Sequence, residues 1–194
     1  MTFRFRYRRI ARWLAATVAA ILAVGLGGLG LQRLDGNFHV VVAGELYRSA
    51  QPSANDIDFY ARTYGIRTVL NLRGAQPGAR WYETEKAAAG RLGLTLIDFP
   101  MSARAELSPA RAKKLVVLLK SAREPILVHC NAGSDRSGLV SAIFSSQVAG
   151  IDEEDAEAQL SVLYGHFGIP LLSPTFAMDR SWETLEPLFG IAGS

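Results

Sequence analysis

The chain has 194 residues, a formal net charge of +3 and one cysteine. Arg4, Arg6, Arg8, Arg9 and Arg12 more than account for the positive surplus, so the remainder is near neutral or slightly acidic and carries no basic stripe of the kind nucleic-acid binding needs. One cysteine excludes an intramolecular disulfide, and the length beyond the N-terminal segment suits a single domain of about 150–160 residues with a sizeable core.

Residues 1–12 are basic and aromatic, and residues 13–31 form an uncharged run. As a helix such a run just spans ~30 Å of hydrocarbon, so it is read as a single-pass transmembrane anchor. A cleaved signal peptide is the alternative, but its apolar core is usually ~7–15 residues and ends in a small-x-small site. With arginines crowded before the run and only Arg33 close behind, the positive-inside rule places the N-terminus in the cytoplasm and the following domain on the non-cytoplasmic side. Gly25, Gly27, Gly28 and Gly30 offer a helix-packing face without fixing an oligomeric state.

Residues 37–189 read as the folded domain. Phe38, Val40 and Val42 alternate along a short strand, Ala43-Gly44 turns the chain, and Glu45 to Ser49 returns as a second strand. Ser53 caps a helix from Ala54 to Tyr64, with Asp56 and Asp58 in its first turn and Gly65 after its end. Ile66 to Leu72 is a buried strand, followed by Arg73-Gly74 and a Gly/Pro loop; Arg73 is either a ligand contact at a strand end or a solvated loop arginine. A helix over 80–92 stops at Gly93, and Leu94 to Phe99 is the next strand. Ser108-Pro109 opens a helix to Ser121 with Ala112, Leu115, Val116 and Leu119 on one face. After the strand Pro125 to Val128 and a polar loop, a helix over 137–149 stops at Gly150. Asp152 opens another through Tyr164, Gly165 to Ser173 is a loop, and Pro174 begins a last helix to Phe189. Strands alternating with helices predict an α/β fold, a mainly parallel central sheet flanked by helices.

The chemistry concentrates in His129-Cys130-Asn131-Ala132-Gly133-Ser134-Asp135-Arg136-Ser137-Gly138, between the strand ending at Val128 and the helix that follows. A strand that ends in a short polar loop and restarts as a helix aims several backbone N–H groups and the positive end of the helix dipole at one spot, which makes an anion site. Cys130 at the start of that loop is favoured as thiolate. Arg136 brings a planar fork of donors that suits two oxygens of a phosphoryl group. Ser137 can offer its hydroxyl to the sulfur, and Gly133 and Gly138 permit tight turns and close approach. His129 either orients the loop through hydrogen bonds to its backbone or is simply a satisfied core histidine.

These residues resemble the C-x5-R-[S/T] signature of the cysteine-dependent phosphatases, in the H-C-x-x-G-x-D-R-[S/T]-G form of atypical dual-specificity and lipid-directed members. The resemblance covers residues 37–189 and implies a phosphatase-type α/β sandwich. It further implies a phosphate loop with a Cys130 phosphothioester intermediate, Arg136 as transition-state clamp and Ser137 as helper in its breakdown. Leu46-Tyr47-Arg48-Ser49-Ala50-Gln51-Pro52 is similar to the entry segment of the same group, with Arg48 a possible substrate contact; a plain strand end and turn is the other reading. Gln159-Leu160-Ser161, Tyr164-Gly165-His166 and Met178-Asp179 are similar to bacterial members that act on phosphatidylglycerophosphate-type lipids.

A phosphatase of this kind needs a proton donor for the departing oxygen, usually an aspartic acid from another loop. In the family that loop follows the strand ending here at Phe99, yet it reads Pro100-Met101-Ser102-Ala103-Arg104-Ala105-Glu106, without aspartate. Three carboxylates are candidates. Asp135 has the acid role in relatives with Asp before the Arg, Glu106 lies in the expected loop, and Asp98 precedes it on a strand. Arg104 is a substrate contact or a solvated charge. No cofactor is implied, and His39 and His166 lack metal-ligand spacing.

The expected function is hydrolysis of phosphomonoesters by a membrane-anchored enzyme, with phosphorylated protein or phospholipid head-group phosphate as substrate. The alternatives are an inactive phosphate-binding module that recruits phosphorylated partners, and a rhodanese-like sulfurtransferase. The six-residue step from Cys130 to Arg136 disfavours the latter.

Overall fold

The computed structural model describes Trp13, Thr17 and residues 36–191. The expected membrane anchor over 13–31 lies outside the described residues apart from Trp13 and Thr17. Among the described residues no helix is long and apolar enough to cross a membrane. This corrects the expectation of a single-pass membrane protein with its domain on the non-cytoplasmic face. That expectation rested on the hydropathy and length of residues 13–31.

Among the described residues the sheet has five strands in the order β1-β2-β5-β3-β4. These are β1 (His39–Val42), β2 (Leu46–Ser49), β3 (Thr68–Asn71), β4 (Thr95–Asp98) and β5 (Ile126–His129). Strand β1 runs antiparallel to β2 around the Ala43-Gly44 turn, and the other pairings are parallel. The helices are α1 (Ala54–Tyr64), α2 (Arg80–Leu92), α3 (Pro109–Ser121), α4 (Asp135–Gln147), α5 (Glu153–Glu157) and α6 (Ala177–Leu185).

Alternation along the strands sorts side chains to two faces. Leu46, Leu70, Ile126 and Val128 face the larger core, which also holds Leu115, Leu119, Leu139, Phe144, Trp182 and Leu185 from α3, α4 and α6. Tyr47, Val69 and Leu127 face a smaller one with Tyr60 of α1, closed by Phe38 and Tyr64. There the Phe38 ring stacks on Tyr60 and Tyr64 at centroid distances of 4.3 and 4.8 Å. Both faces being covered, β5 is buried throughout, as its unbroken apolar run requires.

Helix ends follow the local chemistry. Ser53 Oγ accepts from the Asp56 N–H while Asp56 takes the Ser53 N–H, and Gly65 leaves α1 in the left-handed region at φ 69°. Helix α4 starts two residues earlier than expected, which brings Asp135 and Arg136 into its first turn, and Ser137 to Ser145 are all buried. The helix expected from Asp152 through Tyr164 ends at Glu157 and gives way to a 3-10 turn over Val162–Tyr164. Tertiary structure overrides propensity here: the Gln159 carbonyl is taken by Arg48 at 2.8 Å instead of a helical N–H. The last expected helix is divided as well, with α6 flanked by 3-10 turns at Pro174–Phe176 and Pro187–Phe189.

The parallel registers align Ser49, His129, Asn71 and Asp98 in one row at the C-terminal ends of four strands. That is the edge of an α/β sheet where ligands bind. Replacing Ser53 by Ala should remove the capping box of α1 and cost about 1 kcal/mol of unfolding free energy, which urea denaturation would measure; an unchanged midpoint would mean that α1 is held by packing alone.

Candidate active site

Strand β5 delivers His129 and Cys130 to the top of the sheet, and residues 131–134 wrap into α4. Cys130 is buried, with Sγ accepting from the Gly133 N–H at 3.2 Å and lying 3.6 Å from Ser137 Oγ. What shapes the loop is where its carbonyls go. The Asn131 carbonyl accepts from the Gln51 N–H at 3.3 Å and the Ala132 carbonyl from Asn37 Nδ2 at 3.0 Å. Those of Gly133 and Ser134 accept from Arg48 Nη2 at 3.0 and 2.8 Å. Four successive carbonyls tied to the surrounding scaffold leave the loop's N–H groups for the opposite side, the geometry of an anion nest.

Arg48 is therefore not at a surface. It is fully buried, its Nη1 donates to the carbonyl and Oε1 of Gln159 at 2.8 and 3.1 Å, and its guanidinium lies 4.5 Å from the Tyr164 ring centroid. Burial pushes its pKa down to about 10, against the opposing pull of Cys130, Tyr164 and Asp135. The expected substrate contact is a scaffold residue, because a guanidinium with no exposed surface cannot reach a ligand.

Two glycines are dictated by approach. A Cβ on Gly133, at φ 74°, would sit 2.5 Å from the Ala50 nitrogen, and one on Gly138 would meet the Gln159 carbonyl oxygen at 2.9 Å and Arg48 Nη2 at 3.1 Å. Asn37 holds φ 45° and spends its side chain on the Ala132 and Tyr164 carbonyls and on His39 Nε2.

Arg136 reaches back across the sheet edge, Nη1 donating to the carbonyls of Leu72 and Met101 at 3.3 and 3.2 Å. Its Nε is buried without a partner among the described residues, a donor for an anion to satisfy. Arg73 stands nearby, stacked 3.6 Å over the Trp81 ring and donating to Gln51 Oε1 at 2.7 Å. Burial and the neighbouring Arg136 lower its pKa. Arg104 is exposed, in a turn where its N–H donates to Ser102 Oγ.

His129 does not bond to the loop backbone. Its Nε2 meets Glu85 Oε1 at 2.8 Å, with both side chains fully buried, and the second Glu85 oxygen accepts from Gln51 Nε2 at 2.8 Å. A hydrogen-bonded chain thus runs from His129 through Glu85 and Gln51 to Arg73. Glu85 was not legible as a site residue, since it occupies an ordinary position in an amphipathic helix.

The three acid candidates separate clearly. Asp98 accepts from Asn71 Nδ2 at 2.7 Å and from Tyr82 Oη at 2.6 Å; that second bond is the main cause raising the Tyr82 pKa to about 12. Glu106 is in an ion pair with Arg180 at 2.8 Å on an exposed surface. Asp135 is the one next to Arg136 within the loop; its Oδ1 is 2.8 Å from His166 Nδ1 and its Oδ2 accepts from Ser134 Oγ at 3.3 Å. Among the described residues no cluster of three or more His, Cys, Asp or Glu could hold a metal ion.

A family model described as a DSP-PTPase phosphatase fused to NAD+ kinase matches residues 30–167. The inositol diphosphatase SIW14 of Saccharomyces cerevisiae is 32% identical over 108 residues, 53% of this chain, and the match spans only 36% of that relative's length. The dual specificity protein phosphatase TpbA of Pseudomonas aeruginosa is 25% identical over 179 residues, 84% of this chain and 77% of its own. A crystal structure of TpbA in complex with pTyr shares the fold, with a TM-score of 0.61 at 19% identity, covering 81% of this chain and 93% of that one.

Arg48→Lys keeps the charge but loses the fork that grips the Gly133, Ser134 and Gln159 carbonyls. It should lower unfolding free energy by roughly 2–4 kcal/mol and weaken tungstate binding at least about tenfold, read by calorimetry; a folded variant with unchanged affinity would show that the loop keeps its shape unaided.

Proposed function

Given that the chain belongs to this DSP-PTPase phosphatase family, we propose that it hydrolyses phosphomonoesters through a phosphocysteine intermediate. The observation that carries the reading is a buried Cys130 sulfur within reach of the Gly133 N–H and the Ser137 hydroxyl, beneath a loop whose four carbonyls are all tied away. The Cys130 thiolate attacks phosphorus in line, the S–P bond forming as the bond to the departing oxygen breaks. Loop N–H groups and the Arg136 fork take the equatorial oxygens, where charge grows in the transition state. Asp135 gives its proton to the departing oxygen and, as a base, takes one from the water that then cleaves the S–P bond. The Ser137 hydroxyl donates to the sulfur as it leaves. The residues beneath and beside the loop, Arg48, Asn37, Gln51, Glu85 and His129, hold this arrangement without touching phosphate.

The substrate class is drawn from the mouth of the site. Arg73, stiffened by its stack on Trp81 and close enough to Arg136 for the two cations to repel, offers a second cationic contact. Such a pair favours a phosphate whose neighbour is also anionic, as on a phosphorylated inositol or phospholipid head group. Phosphotyrosine on protein is the second reading, supported by the likeness to a dual-specificity phosphatase. An inactive phosphate-binding module is a different class, kept in view by the missing aspartate between Pro100 and Glu106.

Phosphate release by the full chain, measured on an inositol polyphosphate, a phosphatidylinositol phosphate and a phosphotyrosine peptide, should be abolished by Cys130→Ser. The highest kcat/KM is expected on a head group bearing a second phosphate, and Arg73→Ala should narrow that preference. Binding without release from any member would select the module. Asp135→Asn should cut kcat/KM on alkyl phosphates about 10²-fold and on activated aryl phosphates far less; equal losses on both would sink its role as acid.

A further inference from the structure

The phosphate loop is joined to the C-terminal part of the chain by a second polar device, distinct from the Arg48 clamp. His166 lies buried between two carboxylates, with Nδ1 2.8 Å from Asp135 Oδ1 and Nε2 3.0 Å from Asp179 Oδ2. Its side chain is 1% exposed and the two carboxylates are about one-fifth exposed. The three groups come from the first residue of α4, the loop after Gly165, and α6. Gly165 in the left-handed region turns His166 inward, and the backbone at Gly168 presses so closely on Asp179 that a Cβ there would overlap its carboxylate. The imidazole therefore has little freedom to swing away from Asp135. Burial alone would lower the His166 pKa, and the hydrogen bonds to Asp135 and Asp179 outweigh it, so the net direction is upward.

We propose that His166, braced by Asp179, is the positioning residue for Asp135, aiming its carboxyl at the departing oxygen and stabilising the carboxylate left once the proton is given up. The inference rests on Asp135 being the acid. With Asp135 protonated, imidazolium between it and an ionised Asp179 makes the cluster neutral. After transfer to the departing oxygen the cluster carries one negative charge, and the Nδ1–H bond to Oδ1 takes up that charge. When water enters, Asp135 recovers a proton and the cluster returns to its starting state, so no group beyond these three is consumed. Arg48 faces the cluster on the Asp135 side and Glu157 on the Asp179 side.

A merely structural clamp and a positioning residue differ in what they move. As a structural pair, imidazolium contributes stability that is fully present below the ordinary histidine pKa of 6.5 and lost as pH rises through the raised value. Both roles share that behaviour, so it serves only to show that the clamp forms. The deciding measurement is the leaving-group dependence of kcat in the full chain for wild type, Asp135→Asn, His166→Ala and the double variant. His166→Ala should lower kcat about tenfold or more on alkyl phosphates and much less on activated aryl phosphates, and the double variant should be no worse than Asp135→Asn. Equal losses on both leaving groups, or full additivity with Asp135→Asn, would overturn the proposal while the steep dependence of Asp135→Asn left the acid assignment standing. An Asp135→Asn with no leaving-group dependence would overturn both. Should His166→Ala fail to fold, Asp179→Asn, which keeps size and an acceptor oxygen, carries the same expectation through a weakened imidazolium.

Discussion

A buried guanidinium is the constraint on which the site depends. Arg48 leaves the end of β2 and grips Gly133 and Ser134 in the loop and Gln159 after α5, segments that the chain alone would leave far apart. Taking an arginine out of water costs several kcal/mol, and charge-assisted bonds to carbonyls offset that cost only when the geometry is good. The depressed pKa expresses the same tension, since burial is its first cause. The loop amides then face the ligand because the carbonyls cannot. Gly133 and Gly138 follow from it, because a side chain at Gly138 would strike Arg48 and the Gln159 carbonyl, and one at Gly133 would strike the β2 exit. The shape of the loop is thus enforced from behind as much as by the loop's own sequence.

The loop around Cys130 and the sheet beneath it were legible because each leaves a local signature. Apolar runs gave the strands, Ser53 with Gly65 and the glycine at 93 bounded their helices, and the spacing from Cys130 to Arg136 marked the loop. The supports of that loop were not legible in the same way. Arg48 read as a possible substrate contact or as part of a plain strand end and turn, Glu85 drew no reading of its own within the helix over 80–92, and His166 and Asp179 read as parts of a similar late stretch, with His166 lacking metal-ligand spacing. Each acquires its role from a partner tens of residues away, and a single sequence carries no register for such pairs. The over-long helix drawn from Asp152 fails for the same reason, since a distant arginine takes the carbonyl that helical continuation would use. The membrane reading fails differently: hydropathy and length describe an apolar run, and the described residues hold no helix fit to span a bilayer.

Two carboxylates near the loop show how environment divides like groups. Asp98 has both oxygens engaged by neutral donors, one of them a tyrosine whose own proton is thereby held more tightly. Asp135 instead meets an imidazole that another carboxylate restrains. Asp98 fastens β3 to β4 and to α2, whereas Asp135 stands beside Arg136 in the first turn of α4. Sequence position would have favoured the loop after β4 as the source of the acid. The engaged oxygens of Asp98 and the Glu106–Arg180 ion pair support the proposal that Asp135 takes that role instead.

The strand order has a further consequence for how the chain comes together. Strand β5 is the last strand in sequence and the middle one in space, and β2 and β3 touch each other only through it. A nascent chain ending before Ile126 owns two separate strand pairs, β1 with β2 and β3 with β4, and no common sheet. The insertion that unites them also carries Cys130 to the end of the central strand, before α4 and α6 add Leu139, Phe144, Trp182 and Leu185 to the core. The supports of the Cys130 loop from Gln159, His166 and Asp179 come later still in the chain, so the single sheet is defined before the loop is fully braced.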